Sequence, residues 1–501
     1  MKDKLLATLR QHAFGLAVLV CAFSIYFPYY GSPNSMFWDE NYHIASAQKH
    51  IDGVMYMEPH PPLGKMLMGL AENVLGHNDM RDMHKLDETD YLKGEDMPSG
   101  MQFKGFRWPS TVLMAIASLF FYGILARITE QRLFSALLTS LVIFDNALVI
   151  HSRSAMLEGI QLFFALGALY YFTRTVTGFI REKKAITWIN YAILGLWIGL
   201  TVSVKVNGFV LLLLFVMLFG VDQWQNLIKQ KWQPLLQRLL IAAPAGVAAV
   251  ALVFFTVFYI HIGMGQKVLP GHTYKASPEY LLDIQQGKTW APSTFFTGMH
   301  DNWKYMSEYA DGVPKLDECK PDENGSFAMD WILGKKTISY RWDKDTVDGK
   351  VQVKYMYLVA NPVVWLSVVA GLVLSLGLIM SKFVYGQTEK NTPLFYWICA
   401  FTFMYVSYMT AILQIERVMY LYHYLMPLIF GMINLGLVIS YIFREELLSN
   451  NKHFWINLSI FVALVIGVFA FFSPFTYGFA ITEDQFEMRN WFSFWKMQVV
   501  R

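Results

Sequence analysis

Charge is scarce in this chain. Asp, Glu, Lys and Arg make up only 16% of its 501 residues, against about 25% in soluble globular domains, while 55% are hydrophobic and the mean hydropathy is +0.34. That balance excludes an ordinary soluble protein and predicts an integral membrane one. A basic excess is lacking as well: the formal net charge is +3, so the chain has no electrostatic footprint for nucleic acid. Cysteine is nearly absent. Cys21 and Cys399 fall in apolar stretches and Cys319 in a polar one, a distribution that argues against a disulfide framework. The compact signatures of common chemistries are missing too. Gly64-Lys65 has neither the upstream glycine nor the following Ser or Thr of a phosphate loop, and there is no His-x-x-x-His, Cys-x-x-Cys or Gly-x-Ser-x-Gly. Any catalysis must be built from residues scattered along the chain.

What the chain does have is long apolar segments. Spanning hydrocarbon takes about 20 mostly apolar residues, and eleven stretches qualify, near 12–30, 108–127, 133–150, 155–174, 186–204, 206–222, 239–263, 357–380, 393–413, 420–443 and 454–473. The basic N-terminus MKDKLLATLRQ leads into the first without a small-residue cleavage site, which reads as a retained signal anchor. With that end cytoplasmic, the inner connections RITEQR, TRTVTGFIREKK, QNLIKQKWQPLLQR, SKFVYGQTEKN and REELLSNNKH each carry Lys or Arg near a helix end, as the positive-inside rule requires. The outer face then receives residues 31–106, residues 264–356 and the tail after the last span. The expected fold is an all-α polytopic membrane protein of about eleven transmembrane helices. Three parts are expected: a catalytic module 1–263 that includes the loop 31–106, an outer cap 264–356, and a C-terminal module 357–501.

The first outer loop holds FWDENYHIASAQKHIDGVMYMEPHPPLGK, with adjacent Asp39 and Glu40 and a stiff His60-Pro61-Pro62. After the prolines, Leu63, Met66, Leu67, Leu70 and Val74 recur at helical spacing. This predicts an amphipathic helix, either lying on the outer membrane surface or packed on the bundle as a core helix. The other ionisable residues at helix ends are Arg107, Asp145, Arg153, Glu158, Lys205, Glu416, Arg417 and His423, and on the eleven-span count all map to the outer half of the membrane. Such groups usually face a cavity or a partner, although any one could be an interfacial anchor. Two carboxylates and several cations at one face suit a substrate with an anionic headgroup and a lipid tail. Phosphate fits the cations, Arg above all because its fork is planar, and carboxylates fit general-base work. Glu416, Tyr420 and His423 fall on one face if 416–427 is helical, either as a sugar or phosphate surface or as belt aromatics. Asp39, Glu40 and His43 offer ligands for a hard divalent cation. No cofactor is expected, and that cation stays open.

The motifs HPPLGK, FRWPS, DNALVIHSRSAMLEG, GLTVSVKVNG, LVANPVVW, RVMYLYHYLMP and SPFTYG, together with the Asp39-Glu40 loop, resemble the protein O-mannosyltransferase family within the C-type glycosyltransferase superfamily. They occur in family order over most of the chain. The resemblance implies a transferase that moves mannose from a polyprenyl-phosphate carrier to Ser or Thr hydroxyls of a protein, with Asp39 as catalytic base and Glu40 supporting it. The partners implied are the lipid-linked donor, a protein acceptor and membrane lipid. The implied place is a bacterial inner membrane, with the site facing the periplasm. Glu58, His60, Lys65, Arg107, Arg153, Glu158, Lys205, Arg417, Tyr422 and His423 form the expected substrate-binding set, with Arg107 and Arg417 foremost for phosphate. Two departures stand out. Glu58 occupies a position where the family often has Asp, and 264–356 is too short for the three-repeat β-trefoil of the fungal and animal enzymes. A single base with no carboxylate nucleophile implies inversion. Rival readings are a transferase of another lipid-linked sugar to a glycan or lipid A, and a secondary transporter. The transporter is disfavoured because transporter sites gather at the midplane within repeats.

Overall fold

The computed structural model describes residues 2–320, 323–347, 350–386 and 392–500. Helix occurs at all eleven expected places. Among the described residues six helices are long and apolar enough to cross a membrane, or seven when the bent pair Arg132–Ile143 and Asn146–Ser152 counts as one span. Length and composition therefore support fewer spans than the eleven expected. The stretches His12–Tyr26, Trp188–Val204 and Val206–Asp222 are apolar but short, and the third expected span breaks by 65°.

Packing divides the chain into two compact units that interleave in sequence. The first comprises Met1–Pro28, Ala115–His151 and Lys315–Arg501; the second comprises Tyr29–Met114 and Ser152–Pro314. The boundaries expected at 263 and 356 are not the ones packing draws. Residues 264–356 do not form one cap, because their first part belongs to the second unit and the remainder to the first.

In the first unit, α-helices Pro362–Phe383, Thr392–Ile412, Leu425–Ile442 and Lys452–Tyr477 are joined by a small antiparallel sheet. Its strands β1 (Ile338–Val347), β2 (Lys350–Leu358) and β3 (Ala480–Ile481) run in spatial order β1-β2-β3. The fold is predominantly helical, as expected, and this sheet is its unforeseen addition. On β2 the alternate residues Val353, Tyr355 and Tyr357 face one way and bury against Phe472, Phe475, Phe486 and Trp495, the period of two that makes a one-sided strand. The helix expected from 357 starts later for the same reason. Tyr357 and Leu358 belong to β2, and Asn361 caps the helix by accepting from Val363 N at 3.1 Å, with Pro362 in its first turn.

In the second unit, α2 (Glu40–Asp52) and α3 (Leu63–Leu75), which follow the N-terminal α1 (Lys2–Tyr26) in the chain, pack with the start of helix Leu157–Glu182. Ile44, Ala47, Met68, Phe103, Phe106, Leu157 and Ile160 form the core there. At Gly69 the two helices cross so closely that a Cβ would sit 2.7 Å from the Ala47 carbonyl oxygen. The helix expected after the prolines is present, but its two charged residues are buried. Lys65 and Glu72 point inward, while Leu70 and Val74 of the apolar stripe are exposed. The stripe is therefore split: Leu63 and Leu67 pack against the core, and Leu70 and Val74 lie outside it.

Candidate functional site

Nine of the expected site residues belong to the second unit. Asp39 is the N-cap residue of α2, partly buried, and its carbonyl accepts from Tyr42 N at 3.0 Å and His43 N at 3.1 Å. Glu40, in the first turn, is completely buried. Its Oε1 accepts from Arg107 Nε at 2.7 Å and Ala155 N at 2.8 Å, and its Oε2 from Arg107 Nη2 at 2.8 Å and Phe37 N at 3.2 Å. All the lone-pair directions of a carboxylate are thereby occupied.

Arg107 is equally engaged. Besides Glu40, its Nη1 donates to the carbonyls of Pro33 at 2.8 Å and Tyr30 at 3.4 Å, and its Nη2 to that of Ser35 at 2.9 Å. The guanidinium is fully buried between Phe37 and Phe103. A phosphate would have to displace Glu40 or a loop carbonyl to reach it. The expectation that Arg107 is a foremost phosphate clamp is therefore corrected: its five N–H groups hold the loop that carries Asp39. Glu40 is the other half of this anchor.

Around Asp39 the unit gathers a group of buried charges. Lys65 is fully buried on α3 and pairs with Glu58, which also accepts from Ser46 Oγ. Burial pushes the Lys65 ammonium down to about 7; Lys205 pushes the same way, while Asp39 and Glu158 oppose it. Those couplings place Asp39, Lys65, Glu158 and Lys205 within one electrostatic neighbourhood. Glu158 stands in the first turn of Leu157–Glu182, and its Oε1 accepts from Lys205 Nζ at 2.6 Å. Lys205 ends helix Trp188–Val204 in extended conformation, and its carbonyl accepts from Gln161 Nε2 at 2.8 Å. His43 is kept neutral, pushed to about 3 by burial and by Lys65, and its ring nitrogen Nδ1 lies 2.8 Å from the Ala155 carbonyl. Arg153 is buried in the turn before Leu157–Glu182, and His60 is half-buried ahead of α3.

Arg417, Tyr422 and His423 belong to the first unit. The helical face expected for Glu416, Tyr420 and His423 is not formed. Only Leu421–Tyr424 is a 3-10 turn; Tyr420 is extended (φ −128°, ψ 156°), and Arg417 makes an isolated antiparallel bridge with Lys315. Glu416 is exposed and pairs with Lys315. In place of a stripe there is a stack. Tyr422 lies on His423 (centroids 4.6 Å apart, 23°) and on His151 (5.0 Å, 19°), and His423 lies on Trp331 (6.0 Å, 19°). His151 Nδ1 is 2.6 Å from the Tyr340 hydroxyl. Trp331, His151 and Tyr340 were missed from sequence, since no local pattern joins them to residue 422. Asp145 is held by neutral donors. It accepts from Leu148 N at 2.9 Å, Trp365 Nε1 at 2.9 Å and Asn361 N at 3.3 Å, so it ties a helix start to the start of Pro362–Phe383.

Comparison with known proteins covers both halves of the chain. The family profile described as dolichyl-phosphate-mannose-protein mannosyltransferase matches residues 16–264, and that described as the C-terminal four TMM region of protein-O-mannosyltransferase matches residues 299–495. The chain is 24% identical to protein O-mannosyl-transferase 2 of Drosophila pseudoobscura pseudoobscura over half its own length, but it covers only 33% of that protein. It thus spans about a third of the length of such eukaryotic relatives. It is 22% identical to the polyprenol-phosphate-mannose--protein mannosyltransferase of Mycolicibacterium smegmatis, over 93% of this chain and 89% of that one. The fold matches the Saccharomyces cerevisiae protein O-mannosyltransferase Pmt1-Pmt2 complex bound to the sugar donor, with a TM-score of 0.82, 15% identity, and coverage of 97% of this chain and 93% of that one.

Proposed function

The chain belongs to the protein O-mannosyltransferase family, and from that premise we propose that it transfers mannose from a polyprenyl-phosphate carrier to Ser or Thr hydroxyls of protein acceptors. The reaction takes place at the periplasmic face of a bacterial inner membrane. The observation that carries this reading is the contrast between adjacent carboxylates. Glu40 is locked by Arg107 and two backbone N–H groups, whereas Asp39 sits partly exposed at the start of the same helix, in the field of Lys65.

Asp39 takes the proton of the acceptor hydroxyl as its oxygen attacks the anomeric carbon. The bond from that carbon to the phosphate oxygen breaks, and the polyprenyl phosphate departs with the electron pair. One displacement inverts the anomeric centre. The departing phosphate needs cations, and in this unit Lys65, Arg153 and Lys205 supply them, with Glu58 and Glu158 holding the two lysines in place. Arg417, Tyr422 and His423, which belong to the first unit, stay candidates for substrate binding, Arg417 for phosphate. We place no metal in this step. Glu40 has no lone pair left to offer, so the site that Asp39, Glu40 and His43 presented in sequence lacks one of its ligands; with His43 Nδ1 at the Ala155 carbonyl, that ring has its Nε2 to offer.

The test is transfer of label from polyprenyl-phosphate-mannose to a Ser/Thr-rich peptide by the purified chain, with and without added Mn²⁺ or Mg²⁺. Label should appear on the peptide as the α- or β-anomer opposite to that of the donor, at a rate the added ions leave unchanged. Retention of configuration, or transfer only with added metal, would overturn the mechanism.

A further inference from the structure

A separate polar cluster stands at the opposite end of α2 from Asp39. Asp52 is the last residue of that helix, His84 opens the 3-10 turn His84–Leu86, and Asp87 follows it directly. Each offers one ligand atom, and the three atoms lie within 4.8 Å of one another. The Nδ1 of His84 is 4.0 Å from Asp52 Oδ2.

The independent observation concerns Asp87. This side chain is 95% buried, and its Oδ1 receives no hydrogen bond from any described residue. A buried carboxylate oxygen without a donor is costly, and such atoms require an explanation. The Lys49 ammonium does not supply one. Lys49, in the last turn of α2, is directed to Asp90 and to the Tyr274 hydroxyl, the latter at 3.0 Å. Asp52 is only partly satisfied, its Oδ2 accepting from Gln48 Nε2 at 2.8 Å. Two close carboxylates at a helix C-terminus, where the helix dipole favours positive charge, thus face an imidazole that is exposed and free to turn toward them.

We infer that Asp52, His84 and Asp87 form a zinc-binding site that ties the first polar loop to the far end of the helix bearing Asp39. Two oxygens and one nitrogen suit Zn²⁺ in tetrahedral coordination, with water completing the set on the exposed side of His84. An imidazole ligand disfavours the all-oxygen preference of Mg²⁺ and Ca²⁺. The competing account of the same contacts is a proton shared between the two carboxyl groups.

The full chain, purified in detergent and stripped of metal, is titrated with ZnCl₂ alone at neutral pH, and its melting temperature is followed in parallel. The wild type should take up one tightly bound Zn²⁺ per chain and melt higher when loaded. His84→Ala alters an exposed side chain, so folding is preserved, and it should weaken that binding at least about tenfold. Asp87→Asn should weaken it further, and both variants should gain less melting temperature from zinc than the wild type does. Equal affinity in all three proteins would assign the zinc to other histidines and overturn the inference. Absence of stoichiometric uptake by the wild type would overturn it in favour of the shared proton.

Discussion

Arg107 grips Glu40 side-on, Nε on Oε1 at 2.7 Å and Nη2 on Oε2 at 2.8 Å, and neither side chain has any solvent exposure. Removing one partner of such a pair strands the other charge in the interior, at about 3–5 kcal/mol. Arg107→Ala and Glu40→Gln should therefore lower the stability of the purified protein by that order in thermal or denaturant unfolding. Arg107→Lys should recover little, because an ammonium cannot form the fork or reach the three loop carbonyls. A full recovery by Lys would show that charge alone matters here.

Asp39→Asn should leave the protein folded, since Asn is as good an N-cap residue as Asp and the Asp39 side chain makes no capping hydrogen bond to α2. Its turnover should fall by about 10²–10⁴, the usual worth of a general base, while the lipid donor still binds. Turnover within a few-fold of wild type would remove Asp39 from the base role.

Lys65 carries a pH signature. Its folded pKa of about 7 lies below its ordinary value because of burial. The unfolded chain therefore binds the extra proton over a range in which the folded one does not, and stability should rise as pH climbs from about 7 toward 10. If Lys65 holds the phosphate as proposed, donor affinity should run the other way, weakening above about pH 7 as its ammonium is lost. Equilibrium binding of donor between pH 6 and 9 checks this. In Lys65→Met the affinity should be low and flat, and an unchanged pH slope there would assign the titration to another group.

Glu158 and Lys205 form a second buried pair, at 2.6 Å. Glu158→Gln and Lys205→Met should each destabilise the protein, and the double variant by less than the sum, with a coupling of about 0.5–3 kcal/mol. Strict additivity in the unfolding free energies would mean that the contact contributes no energy of its own.

Much of this could be read along the chain. Each expected helix left a run of apolar residues, and the prolines ending at Pro62 mark a helix start that the structure bears out, whereas the helix read from 357 begins at Pro362. The strand was hidden because Tyr357 to Ala360 are as apolar as the helix that begins at Pro362, with Asn361 the single polar residue between them. The stretch 416–420 has helical spacing on paper, yet a bridge from Arg417 to Lys315 holds it out of helix. Spacing proposes a face, and a distant partner decides whether the backbone keeps it.

The sequence by itself determined that this is a membrane protein, where its helices lie and which family it joins, because hydropathy and motif order are properties of neighbours in the chain. The tertiary structure alone decided what each charge does. Arg107 and Glu40 are 67 residues apart and Lys205 and Glu158 are 47 apart, and nothing local to any of them states whether it faces a partner or a substrate. In a low-dielectric interior a charge must find a counter-charge, and packing determines which one lies within reach. Adjacent Asp39 and Glu40 therefore look equivalent in sequence, but in the folded protein one anchors the loop and the other stands at its edge.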